Sequence, residues 1–153
     1  PRGTPSAVAV VATVTSDGVE IAWCGDARAY LLTEDGRLHR LTRDHNLRQA
    51  IQDMGAVPPP GSRNLVLSCI GSRQPVIGTA TAPAAGTLLL ASDGAYEPVE
   101  DAGLDLGAYL TDPPRAAARR LVTAAVEHAI PHRADNATAL VVDVAAAVAA
   151  LST

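Results

Sequence analysis

Three aspartates stand where apolar, strand-like runs begin or end: Asp26 after IAWCG, Asp93 after LLLAS, and Asp135 just ahead of NATALVVDV. Gly25, Gly94 and Asn136 adjoin them, and residues of those types turn a chain. Singly, each aspartate reads as a turn residue or a helix N-cap. If neighbouring strands carry those ends to one rim of a sheet, the carboxylates repel one another until a cation sits among them. No thiolate pair or histidine pair accompanies them, so the donors are hard oxygens suited to Mg²⁺ or Mn²⁺ and not to zinc. Such an ion lowers the pKa of a bound water and clamps a phosphoryl group.

The elements that must hold these aspartates follow from periodicity and punctuation. LLLA, Leu88 to Ala91, lacks alternation and follows Gly86, which predicts a strand buried on both faces, with Asp93 where the sheet stops. Upstream, the runs Ala7–Thr15, Val19–Trp23, ARAYLL and RLHRL are separated by SDG and EDG turns and predict an antiparallel meander. In RDHNLRQAIQDMG, Asp44 is placed to cap a helix whose Leu47, Ala50, Ile51 and Met54 share a face and which Gly55 ends. The PPPG at Pro58–Gly61 forces a loop, and NLVLSCIG and VIGTATA read as short strands. From Asp112 the period changes to helical: Asp112 as N-cap, prolines at the start, and Ala117, Leu121, Ala124, Ala125 and His128 on one face. ATALVVDV is a last buried strand, and the alanine-rich tail a short helix. Strands with helices grouped mid-chain and late give an α+β layered fold in one domain, 1–153. His45 reads as a turn histidine before a proton donor, and His128 as a packed or half-exposed helix residue before a ligand.

Composition narrows the function classes. Twelve Lys and Arg against sixteen Asp and Glu give a net charge of −4 without charge blocks, which argues against nucleic acid or a membrane surface as the partner. Aromatics are 3% and Phe is absent, so the core must be built from small aliphatic side chains. Cys24 and Cys69 have neither metal nor disulfide-framework spacing and read as small buried residues of a reduced, cytoplasmic protein. No apolar run approaches the roughly 18 residues of a membrane span. The chain opens at Pro1, close to its first strand, which is the expectation for a part of a longer product.

Four ordered segments carry a resemblance. GDARAYLL with LTRDHNL, then GTLLLASDGAYEPV, then RADNATALVVDV resemble the C-terminal part of the metal-dependent serine/threonine protein phosphatases of the 2C class. GTPSAVAVV resembles the Gly-Thr-Thr strand that opens this portion, and NLVLSCIG its Leu-Thr-Arg-Ala-Leu-Gly segment. The resemblance implies an antiparallel β-sandwich flanked by helices, with a dinuclear Mg²⁺ or Mn²⁺ centre at one end whose water attacks phosphoserine or phosphothreonine of a phosphoprotein. Carried over by position, Asp93 and Asp135 match aspartates that bind a core metal, and Asp26 matches one that shares a weaker third metal with Asp93. The region 44–64 matches the flap beside the cleft, and 112–144 the C-terminal helix and strand. Ala27 replaces the family's serine after Gly-Asp, and Ala95 its leucine after Ser-Asp-Gly; neither change removes a ligand.

The family's N-terminal strands and helix, its phosphate-holding arginine and its Asp-Gly-x-Gly-Gly segment with the bridging aspartate have no counterpart in the chain. SDGVE and EDGRL are hairpin Asp-Gly pairs without the following glycines. Without a bridging carboxylate, a two-metal site with its spacing of about 3.5–4 Å cannot assemble. The expectation is an isolated chain without activity, with AVAVVATV and ATALVVDV as open edges to be completed by an N-terminal segment or a second copy. A phosphatase-like binding module without catalysis is the alternative.

Overall fold

The computed structural model describes residues 5–131 and 134–151. Gly3, Thr4 and Arg133, which belong to the matched segments, lie outside the described residues. In chain order the elements are β1 (Ala9–Thr15), β2 (Gly18–Cys24), β3 (Arg28–Leu32), β4 (Leu38–Arg40), α1 (Leu47–Asp53), β5 (Gly78–Ala82), β6 (Thr87–Ala91), α2 (Asp93–Asp101), α3 (Pro114–His128), β7 (Ala139–Asp143) and α4 (Val144–Ala150). Short 3₁₀ turns occupy Ser62–Asn64 and Leu106–Tyr109.

The strands form two antiparallel sheets, ordered β1-β2-β5 and β4-β3-β6-β7. Alternation along β2 aims Val19, Ile21 and Trp23 at Ala29, Leu31 and Leu88 of the second sheet, and this layer is one core. The other face of the second sheet presents Tyr30, Leu89 and Val141 to Ala95, Tyr96 and Val99 of α2 and to Ala117, Leu121, Ala124 and Ala125 of α3. Leu88 and Leu89 therefore serve different cores, which is why LLLA reads without alternation. No helix among the described residues is long and apolar enough to cross a membrane.

Several local expectations are corrected. The first four strands do not make one meander: β2 and β3 belong to different sheets, and the chain crosses between them at Gly25, whose φ of 103° suits glycine. NLVLSCIG forms no strand. Its backbone makes isolated bridges, Asn46 to Val66 and Ala7 to Ile70, because Leu65 and Leu67 bond with the 45–47 turn instead of a sheet edge. Asn46 caps α1, accepting from the Gln49 N–H at 3.0 Å, because the Asp44 carboxylate is held by Arg28. Met54 lies exposed beyond the end of α1. Asp112 does not cap α3 either: Pro113 holds that position, and the carboxylate pairs with Arg120. Both cysteines are free thiols, but Cys69 is only half-buried, bonded to Ser72 at 3.3 Å.

Among the described residues, the edge strands β1 and β7 are each paired on one side only, with Val11 and Leu140 exposed. α4 packs against both of them, so the two open edges border the same flank of the sandwich.

Candidate functional site

Register brings the three aspartates to one end of the second sheet. Arg28, the first residue of β3, pairs with Ala91, the last of β6, and Ala91 pairs with Ala139, the first of β7. Asp26 therefore enters, Asp93 leaves and Asp135 enters at the same rim. Ser92 fastens the last two together. Its N–H donates to the Thr138 carbonyl at 3.0 Å, its hydroxyl donates to the Asn136 carbonyl at 3.0 Å, and the Thr138 N–H donates back to that hydroxyl at 3.0 Å.

Asp93 opens α2, a helix that its sequence does not announce because Gly94 and Pro98 interrupt the pattern. Its Oδ1 accepts the Gly94 N–H at 2.8 Å, and the Asp135 Oδ1 accepts the Asn136 N–H at 2.7 Å. Asp135 is exposed, Asp93 half-buried and Asp26 buried. Burial raises the Asp26 carboxyl above its ordinary value, and the negative charge of Asp93 raises it further. The site thus gathers like charge of hard-oxygen character that Arg28 offsets only in part, which suits a divalent cation. Among the described residues, however, no three acidic, histidine or cysteine side chains lie close enough to share one ion. The donors fit the chemistry of such an ion, and the set is short of a full coordination shell.

Behind the rim sits a buried guanidinium that sequence reasoning missed. Arg28 donates through Nε and Nη2 to both Asp44 oxygens, at 2.8 and 2.6 Å, and through Nη1 to Tyr30 at 3.0 Å and to Glu100 at 2.9 Å. Its plane lies 3.9 Å over the Tyr96 ring, and the Tyr96 hydroxyl donates to the Asp26 carbonyl at 2.9 Å. Burial pushes the Tyr96 phenol up, so it remains a donor. One side chain thus ties the turn ahead of α1, the helix α2 and the backbone of Asp26. The only sequence signal was an arginine inside an otherwise apolar strand.

His45 is structural in its contacts. Its Nδ1 accepts the Gly25 N–H at 3.2 Å, its ring stacks on Trp23, and burial lowers its pKa despite Asp44. His128 is exposed on α3, with Nδ1 2.9 Å from the Ala124 carbonyl oxygen.

Beside the rim, a polar cleft of about 250 Å³ opens between α1, the Ser62–Asn64 turn and α2. Arg63 closes one end, paired with Asp101 at 2.7 Å and with Glu97 at 3.1 Å. Burial pushes the Glu97 carboxyl up to about 7 against the pull of Arg63, with Asp93 and Asp101 adding to the rise.

The chain is similar to known proteins. Residues 3–50 match the family model of protein phosphatase 2C. The solved catalytic domain of the serine/threonine protein phosphatase PstP, in complex with 2 manganese ions, is 28% identical, with a TM-score of 0.72 over 90% of this chain and 58% of its own. The chain is similar to part of a protein phosphatase 2C. The PstP/Ppp phosphatase of Mycobacterium tuberculosis is 27% identical, with a TM-score of 0.72 over 92% of this chain and 60% of its own. Stp1 from Staphylococcus aureus, at 23% identity, shares the fold with a TM-score of 0.74 over 90% of this chain and 56% of its own. The phosphatase-2C-like chain thus spans less than two thirds of the length of these structures, and no curated protein matches it.

Proposed function

We propose that this chain is the C-terminal part of a Mg²⁺- or Mn²⁺-dependent phosphatase acting on phosphoserine or phosphothreonine in proteins. The observation that carries this reading is the strand register that gathers Asp26, Asp93 and Asp135 at one rim of a phosphatase-2C-like sheet. Asp93 and Asp135 would hold a core metal, and Asp26 with Asp93 a weaker one. The metal, when bound, supplies an activated water. The protein's share is to hold the carboxylates at the rim and to keep Asp26 fixed through Tyr96. In this reading 44–64 is the flap, lying against α2 through the Arg63 and Arg28 ion pairs.

Because three ligands do not converge among the described residues, the remaining donors are proposed to come with a complement that pairs the open edges of β1 and β7. That complement is an N-terminal segment or a second copy. The chain alone should be inactive. The same shortage favours the second reading, a phosphatase-like module that binds a phosphoprotein without hydrolysing it.

The test is p-nitrophenyl phosphate hydrolysis with Mn²⁺ by the chain joined to an N-terminal phosphatase-2C segment carrying Asp-Gly-x-Gly-Gly. Turnover that Asp93→Asn removes supports the enzyme. Turnover indifferent to Asp93→Asn refutes it, and binding of phosphoprotein without any turnover favours the module.

A further inference from the structure

The cleft beside the rim has two unlike walls. On the α2 wall the carboxylates are already engaged: Glu100 by Arg28 and Tyr30, and Glu97 and Asp101 by Arg63. On the opposite wall, among the described residues, Arg40 donates to the amide oxygen of Gln49 at 2.9 Å, and Arg48 is exposed and acts on Asp101 through space without a direct pair. Among the described residues, neither of these two guanidiniums forms an ion pair with a carboxylate. The hydrogen-bonding capacity not already paired with a carboxylate is therefore donor-rich, although the formal charges of the cleft, four arginines and four carboxylates, cancel. A planar guanidinium fork matches a carboxylate or phosphate oxygen pair. The cleft adjoins the rim, since Arg28, two residues after Asp26, and Glu97, one helical turn after Asp93, both line it.

We infer that this cleft is a subsite for the acidic flank of a phosphorylated peptide, with Arg40 and Arg48 receiving carboxylates next to the phosphorylated residue. A cationic flank finds its natural acceptors on the α2 wall occupied by Arg28 and Arg63, so it gains little there. The inference rests on the phosphatase reading for the position of the phosphorylated residue. The flank contact itself requires no metal.

The experiment measures fluorescence anisotropy of the full chain, metal-free and with Mn²⁺, using labelled phosphothreonine peptides flanked by Glu, by Ala or by Lys. The Glu-flanked peptide should bind about tenfold more tightly than the Ala-flanked one, and Arg40→Glu with Arg48→Glu should abolish the difference, as two screened ion pairs would. Arg40→Gln with Arg48→Gln, checked for an unchanged thermal melt, should remove the preference without reversing charge. A preference untouched by these substitutions, a tighter Lys-flanked peptide, or no binding of any peptide overturns the inference. Asp93→Asn separates the two ideas. It should leave the acidic preference in place; turnover of p-nitrophenyl phosphate that persists in this variant, with the preference intact, removes only the phosphatase reading.

Discussion

Gly94 and Asn136 meet backbone to backbone: a β-carbon on Gly94 would stand 2.6 Å from the Asn136 carbonyl oxygen. This approach sets Asp93 and Asp135 beside each other, and no flexible side chain could yield to a larger residue. Gly94→Ala should therefore push the 134–138 segment outward and cost about 1–3 kcal/mol, as overpacking does. Urea unfolding measures the loss, and Mn²⁺ affinity should fall with it. A stable variant with unchanged affinity would show that the approach does not matter.

Arg28→Ala leaves Asp44, only 7% exposed, as a buried charge without its partner. Removal of one member of such a pair costs about 3–5 kcal/mol. Arg28→Lys should recover only part of this, because an ammonium cannot span both Asp44 oxygens and stack on Tyr96. Thermal melts of the two variants test the ranking.

Glu97 gives a pH dependence with a definite sign. Its folded-state pKa of about 7 lies above the ordinary 4.5, so the folded state holds the proton more tightly. That contribution is complete below 4.5 and is lost as pH rises through 7. Glu97→Gln should be near-neutral at pH 4 and stabilising at pH 8 by roughly 1 kcal/mol, a figure reduced for the carboxylate's access to solvent. An equal effect of the substitution at both pH values would contradict this.

Asp26 behaves in the same direction, for its carboxyl is raised by burial and by Asp93. Without metal, the wild-type chain should lose stability relative to Asp26→Asn as pH rises from below 3.8 through the raised value. Adding Mn²⁺ should stabilise the wild type more than the variant, which keeps the Asp93 and Asp135 carboxylates but not Asp26. Differential scanning at several pH values, with and without the ion, reads both effects.

Much of this was written in local pattern. LLLA announced a strand buried on both faces because its successive residues enter different cores. The aspartates at strand ends pointed to a shared rim because antiparallel register returns alternate ends to the same side. Other features depended on partners far along the chain. Arg28 meets Asp44 sixteen residues away and Glu100 seventy-two away, and that pairing takes Asp44 from the helix cap its position suggests. α2 was hidden because Pro98 cannot donate the helical bond to the Gly94 carbonyl, while burial of Tyr96 and Val99 against α3 stabilises the helix regardless. NLVLSCIG had the apolar content of a strand, but its backbone bonds with the 45–47 turn and with Ala7 instead of a sheet edge.

The central claim is that Asp93 and Asp135 together hold a divalent cation at the rim. Calorimetric titration of the chain with Mn²⁺ tests it most directly, with Asp93→Asn and Asp135→Asn measured alongside. The account predicts a principal binding event in the wild type that either substitution weakens by about tenfold or more, a loss of about 1.4 kcal/mol or more. No binding by the wild type, or affinity unchanged in both variants, would contradict it.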